Sequence, residues 1–263
     1  MSEVQAPTQE NPPAEIAAEQ EIWQPILGAR VEVKPIPSSV TPEVRKRLEA
    51  LGMDLVYIPG LDMGSLVDLQ TMGVERFLDG LQERYPNWKP YESMDHKDQM
   101  NPAQPRNVDQ LFWNSVRGND IEFPELLGQW IAIEKMPKPL QREQYESTRL
   151  GEILDIDRFD VSWDDIQGAI ARKKDVILGE IGLENADVKL PEALEWNLLA
   201  NRYGWGATRT FERTSTESRN PLGRPQHVII GSSSNGGAGK TGLDDPDFRG
   251  MMIGFRLGVY PGS

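Results

Sequence analysis

The chain has 263 residues, a formal net charge of −13 at pH 7, 38% hydrophobic residues and 26% charged residues. This length and composition allow a hydrophobic core and exclude a globally disordered chain. The acidic balance disfavours binding to nucleic-acid phosphates and to anionic membrane surfaces. Because cysteine is absent, a disulfide framework and a thiolate metal site are both excluded.

The first residues lack the charged and apolar regions of a secretory signal. No apolar run approaches the roughly 20 residues that a membrane span needs. We therefore expect no membrane insertion and, by default, a cytoplasmic location. Residues 1–27 contain glutamate, glutamine and proline but neither lysine nor arginine, and they are predicted to be a disordered acidic tail. Removal of residues 1–21 is expected to leave stability unchanged.

Residues 28–120 have the pattern of an N-terminal α/β region. Alternating apolar positions predict a strand over residues 30–36, and a second strand is predicted over residues 54–58. Thr41 followed by Pro42 predicts the start of a helix that ends at Gly52. Helical spacing favours further helices over residues 65–84 and 108–116, with a loop between them over residues 86–105.

Residues 121–263 begin with an alternating segment, 128–134, that predicts a strand. Ser162 and Asp165 have the spacing of a capping box, and Gly182 is typical of a helix end, so a helix is predicted over residues 163–181. Another helix is predicted from Pro191 to residue 202. A strand over residues 227–231 then leads into a loop rich in glycine and serine.

Short motifs follow one another in the last third of the chain. They are Leu-Pro-Glu-Ala-Leu-Glu-Trp at 190–196, Trp-Gly at 205–206, Glu-Arg-Thr at 212–214, Gly-Gly at 236–237 and Gly-Phe-Arg-Leu at 254–257. Their order resembles the formylglycine-generating-enzyme/sulfatase-modifying-factor type of C-type lectin fold, in which tryptophan usually stands at the position of Arg213. The resemblance implies an α+β fold with a C-type lectin-like domain over residues 121–263, preceded by an N-terminal α/β extension.

The same lectin module serves as the variable protein of diversity-generating retroelements, which this chain also resembles. In those proteins a rigid scaffold displays a mutated ligand-binding surface, which would correspond to residues 205–252 here. The resemblance implies a non-catalytic protein that binds an unknown protein or small ligand, with no cofactor and no metal. Polar residues would give adaptable hydrogen bonds, and phenylalanine and arginine would act as anchors. The expected surface residues are Arg209, Phe211, Arg213, Ser232, Ser233, Ser234, Asn235, Lys240, Asp244, Asp245 and Phe248.

The alternative function is a metal-dependent enzyme of the same fold. Such an enzyme needs histidine and carboxylate ligands near the C-terminal loops, where His227 is the histidine available. Formylglycine generation is excluded because that chemistry uses cysteines. A structural domain without a ligand is a third possibility. The sequence leaves open whether Asp244, Asp245 and Asp247 bind calcium.

Side-chain burial can also be predicted from these segments. Trp130, Trp163 and Trp196 lie on strand and helix faces, and they are predicted to belong to the core together with Phe255. Phe211, Arg213 and Phe248 are predicted to be exposed. His227 is predicted to have a structural role or to lie on the surface. The segment 232–241 resembles a phosphate-binding loop, but serine stands at position 234, where that loop needs glycine, so ATP binding is disfavoured.

Overall fold

The computed structural model describes residues 14–28, 31–61, 80–81, 83–87, 120–121, 124–134, 149–203, 211–231, 241–251 and 253–262. The helices of this part are α1 (Ala14–Leu27), α2 (Pro42–Ala50), α3 (Arg149–Leu154), α4 (Trp163–Ile181) and α5 (Ala193–Tyr203). The strands are β1 (Met53–Gly60), β2 (Asp120–Ile121), β3 (Leu127–Glu134), β4 (Asp187–Lys189), β5 (Phe211–Arg219), β6 (Pro225–Gly231), β7 (Thr241–Asp244), β8 (Ile253–Gly254) and β9 (Gly258–Tyr260). Helices and sheets therefore occur together, which confirms the α+β class.

The first sheet has the strand order β1-β3-β9-β4, and all its pairs are antiparallel. Val259 of β9 lies opposite Ala132 of β3 on one side and opposite Val188 of β4 on the other. Strand β9 therefore lies in the interior of the sheet. Its two neighbours, β3 and β4, are at very different distances from it in the sequence. The sequence predicts a domain boundary near residue 121. Strand β1 precedes this boundary and β3 follows it, yet the two strands pair along the length of β1, so the two predicted regions share one sheet.

The second sheet has the order β2-β5-β6-β7, and β8 joins it as a parallel partner of β5. The segment that contains the Gly-Phe-Arg-Leu motif at 254–257 therefore connects the two sheets: β8 pairs with β5, whereas β9 lies in the first sheet. Phe255, Arg256 and Leu257 connect them and are buried. Residues 211–216, which fall within the predicted ligand-binding surface over residues 205–252, belong to β5, and this strand pairs with β6.

The N-terminal segment is helical where the sequence predicts disorder. Trp23 and Leu27 of α1 are 0% and 1% exposed, and Ile16 joins the same hydrophobic cluster. Glu19, one helical turn before Trp23, is buried as well and pairs with Arg202 of α5. The prediction of a disordered tail is therefore wrong for residues 14–27, because this helix buries an apolar stripe and one ion pair. Residues 1–13 lie outside the described ranges.

Residues 31–36 keep the predicted alternation of burial but form no strand. Val31 and Val33 are buried, while the backbone oxygens between and after them accept hydrogen bonds from side chains. Tyr57 Oη donates to the carbonyl of Glu32, and Trp130 Nε1 donates to that of Lys34. The predicted helices and loop over residues 65–116 lie almost entirely outside the described ranges.

Local end signals set the limits of the helices α2 and α4. Thr41 Oγ1 accepts a hydrogen bond from the backbone of Val44, which caps α2 as predicted. In α4 the Ser162 and Asp165 side chains form the expected reciprocal capping box. Gly182 ends α4 with a φ of 81°, a left-handed conformation that glycine adopts without a steric penalty. Both helix predictions are confirmed.

The core has two parts, one on each face of the first sheet. Ile131 and Ile133 of β3 belong to one hydrophobic cluster, and Ala132 between them belongs to the other. Helices α1 and α5 pack into the first cluster, whereas α2 and α4 pack into the second. Trp130, Trp196 and Phe255 are buried as predicted, but Trp163 is half-buried.

Candidate functional site

A buried charge cluster joins the two sheets. Arg158 Nη1 donates to Glu134 at the end of β3 over 2.8 Å, and its Nη2 lies 3.6 Å from Glu212 of β5. Arg256 contacts Glu212 at 3.4 Å, and its guanidinium carbon lies 5.0 Å from the ring centroid of Trp196. Burial lowers the pKa of Arg256, while the Glu212 carboxylate opposes that shift. The cluster therefore belongs to the scaffold.

Arg213 is part of a second buried ion pair, which corrects its predicted exposure. Its Nη1 contacts Asp244 Oδ2, and its Nη2 donates to the backbone oxygen of Phe248 over 2.7 Å. The Arg213 and Asp244 side chains are 0% and 6% exposed. Burial raises the pKa of Asp244, and the adjacent guanidinium opposes this rise. Arg213 is buried because Asp244 and a carbonyl group replace the water that its charge would otherwise need.

Residues 245–251, which we call the anchored segment, follow β7 and are fixed to the start of α4. The backbone nitrogen of Asp164 donates to the carbonyl of Pro246 over 3.3 Å. Arg249 Nη2 lies 2.7 Å from the carboxylate of Asp165, the capping residue of α4. These contacts attach the segment to α4, and the hydrogen bond from Arg213 attaches it to β5.

The anchored segment presents apolar side chains to solvent. Phe248 is 51% exposed and Met251 is 80% exposed. Gly250 between them permits this arrangement, since a Cβ there would lie 3.0 Å from Ile253 and 3.1 Å from the Phe248 ring. Two apolar side chains are therefore exposed on a backbone segment that contacts from α4 and β5 hold in place.

The predicted surface residues divide into three groups. Phe248 and Asp245 are exposed on the anchored segment, and Phe211 is half-buried at the start of β5. Arg213 and Asp244 are buried against each other. The others lie outside the described ranges, so the structure places none of them: Arg209, Ser232, Ser233, Ser234, Asn235 and Lys240. The exposure of Met251 was not predicted, because one methionine between glycine and a second methionine has no periodic signal.

The acidic residues near β7 have partners within the protein. Asp244 faces Arg213, and Asp245 Oδ1 accepts a hydrogen bond from Gln226 over 3.0 Å. Across the described ranges, no group of three or more histidine, aspartate or glutamate side chains has an arrangement that could hold a metal ion. These contacts give the carboxylates of Asp244 and Asp245 a structural role.

His227 of β6 is a packed aromatic residue. Its ring stacks on Trp163 with a centroid distance of 3.9 Å and an interplanar angle of 9°, and it is 4% exposed. Burial lowers the pKa of His227 to about 4, so the imidazole is neutral at physiological pH. The stack attaches the start of α4 to the second sheet, which gives the histidine a structural role.

No helix in the described ranges is both long and apolar enough to cross a membrane. A scan of the chain against protein-family models found no match, and searches of curated proteins and of solved structures found none either. The structure itself therefore defines the class of the protein. It is an α+β fold in which buried charges hold one surface segment in place.

Proposed function

We propose that this chain is a non-catalytic ligand-binding protein with a C-type lectin fold, of the kind used as variable proteins by diversity-generating retroelements. Its binding surface would lie in residues 205–252 and would take a protein or another ligand. The observation that carries this proposal is the anchored segment, where Phe248 and Met251 are exposed on a backbone held by buried Arg213. A fixed backbone reduces the entropy lost on binding.

The positions of the C-terminal motif residues support the proposed fold. Glu212, Arg256 and Trp196 come from three separate motifs of the resemblance, yet the guanidinium of Arg256 contacts both the Glu212 carboxylate and the Trp196 ring. Motifs that are distant in sequence and adjacent in space are expected if the order of the motifs reflects one fold. The packing of α4 and α5 against the sheets also agrees with a lectin-type scaffold.

In the proposed binding mode the scaffold provides stability, and the side chains on its surface contact the ligand. The buried ion pairs hold the backbone, so exposed side chains can change without loss of the core. Phe248 would supply an aromatic anchor, since such residues carry much of the affinity at interfaces. The serine and asparagine side chains of residues 232–235 would supply adaptable hydrogen bonds.

The DNA that flanks the coding sequence tests the retroelement part of this proposal. We expect a reverse transcriptase gene and a near-repeat of the segment that encodes residues 205–252. Differences between the two copies should fall at codons of exposed positions such as Phe248 and should spare those of Arg213 and Asp244. Complete flanking DNA without either element would contradict the proposal.

Metal analysis of the purified protein separates the proposed function from the enzymatic alternative. A binding protein that acts through side-chain contacts needs no stoichiometric transition metal. We therefore expect none after purification without chelators. One equivalent of iron that depends on His227 would contradict the proposal and favour a metal-dependent enzyme.

A further inference from the structure

A cleft of about 420 Å³ lies between α1, α2 and β1, and it shares no lining residue with the anchored segment. Its size falls in the range of pockets that hold small organic ligands. Apolar side chains from four elements line it: Ile22, Leu48, Met53, Leu55 and Trp130. The cleft therefore offers a hydrocarbon surface to a ligand.

The arginines of the cleft are already neutralised by carboxylates of α1. Arg45 of α2 contacts both carboxylate oxygens of Glu15. Arg202 of α5 donates to both oxygens of Glu19 over 2.5 and 2.8 Å. Because each guanidinium has its own carboxylate, neither leaves a positive charge for an anionic ligand.

Two further carboxylates of the cleft, Asp54 and Glu49, have no such balance. Asp54 Oδ2 accepts a hydrogen bond from Tyr203 Oη over 3.0 Å. Burial raises the pKa of Tyr203, so this partner is a neutral phenol. Glu49 is exposed at the edge of the cleft. Within the described ranges, no lysine or arginine pairs with Asp54 or Glu49, so the cleft carries an excess of negative charge beside its apolar surface.

We propose that this cleft binds an alkylammonium group, supplied either by a free organic amine or by a lysine side chain of a protein. The hydrocarbon part contacts the apolar wall at Leu55 and Ile22, which removes apolar surface from water. The ammonium group donates charge-assisted hydrogen bonds to Asp54 and Glu49. This site is independent of the ligand surface proposed for residues 205–252.

Calorimetric titration of the full chain with hexylamine tests this site. We expect saturable binding of hexylamine, and no detectable binding of hexanol or hexanoate, which share its hydrocarbon chain but lack the cation. The exposed position of Glu49 makes Glu49→Gln a variant that should fold normally, and it should weaken binding several-fold. Asp54→Asn should weaken it by about tenfold, the loss that one charge-assisted hydrogen bond implies. Glu184→Gln, an exposed change outside the cleft, should leave it unchanged.

Equal binding of hexylamine and hexanol, or equal affinity in the parent, Glu49→Gln and Asp54→Asn chains, would overturn the proposal. So would the absence of hexylamine binding to the parent. A second titration identifies the source of the ammonium group. It uses a peptide that contains one lysine and, separately, the same peptide with norleucine in place of that lysine. Tighter binding of the lysine peptide than of hexylamine assigns the site to a protein partner, and the reverse order assigns it to a free amine.

Discussion

Arg213 and Asp244 form an ion pair that is almost completely withdrawn from solvent and joins β5 to β7. The same guanidinium donates to the backbone of Phe248, so one buried charge also fixes the anchored segment. A buried charge tolerates the loss of its partner poorly, because the remaining ion then lies in a poorly solvating interior. Stability and the position of the exposed Phe248 ring are therefore coupled through Arg213.

The replacement Arg213→Met should lower the free energy of unfolding by about 3–5 kcal/mol, because it leaves Asp244 buried without a partner. Urea unfolding measures this change. Arg249→Met is the matched control: Arg249 is 57% exposed in its pair with Asp165 and should contribute less than about 1 kcal/mol. If both variants were as stable as the parent, the Arg213 pair would have no structural role.

Deletion of residues 1–21 should destabilise the protein, in contrast to the expectation from sequence. The deletion removes the buried residue Glu19, whose carboxylate receives two hydrogen bonds from the largely buried guanidinium of Arg202. Glu19→Gln should reproduce much of this effect, with a loss of about 3 kcal/mol in unfolding free energy. Glu15→Gln, which changes the half-exposed pair with Arg45, should cost less than about 1 kcal/mol. Unchanged thermal unfolding of the truncated chain would show that residues 14–21 of α1 do not stabilise the core.

Trp196→Ala should lower the free energy of unfolding by about 3–5 kcal/mol, the usual cost of deleting a buried aromatic side chain. Trp196 is 2% exposed and supports the guanidinium of Arg256. Chemical unfolding of Phe248→Ala provides the comparison, since that ring is half exposed and should cost less than about 1 kcal/mol. A Trp196→Ala chain with the parent's midpoint would place this tryptophan outside the core.

His227 should make stability depend on pH. Its folded pKa of about 4 is below the usual value of 6.5, mainly because of burial; Glu217 opposes the shift and Arg213 adds to it. Between these values the unfolded chain binds a proton that the folded chain excludes, so stability falls as the pH decreases through this window. His227→Phe should keep the stack on Trp163 and remove about 3 kcal/mol of this pH dependence.

Urea unfolding of the parent and His227→Phe chains at neutral pH and at a pH of about 4 measures this difference. Carboxylates titrate in both chains, so the comparison between the two isolates the histidine. Equal losses of stability on acidification would show that His227 titrates normally in the folded state.

Local signals in the sequence were sufficient for several elements. Ser162, Asp165 and Gly182 predicted α4 to the residue, since a capping box and a left-handed glycine act on neighbouring backbone groups. Thr41 and Pro42 did the same for the start of α2. Phe248 was also predicted to be exposed, and in the structure its ring is about half exposed.

Features that depend on distant partners could not be predicted. Arg213 looked exposed because its partner, Asp244, lies 31 residues further along the chain. The position of β9 between β3 and β4 has no local signal, since strand pairing is decided by the whole core. Helix α1 was missed because glutamate and glutamine dilute its apolar positions, and Arg202 of α5 neutralises one of those glutamates.

The separation of a variable surface from a fixed scaffold is tested most directly by the unfolding free energy of one multiple-alanine variant. The substituted residues are Ser232, Ser233, Asn235, Lys240 and Phe248. We predict that this variant remains folded and keeps its unfolding free energy within about 1 kcal/mol of the parent, because changes to a display surface leave the core intact. The Arg213→Ala, Asp244→Ala double variant, measured beside it, should lose more. Collapse of the multiple-alanine variant would contradict the proposed display surface, because these side chains would then be part of what holds the fold together.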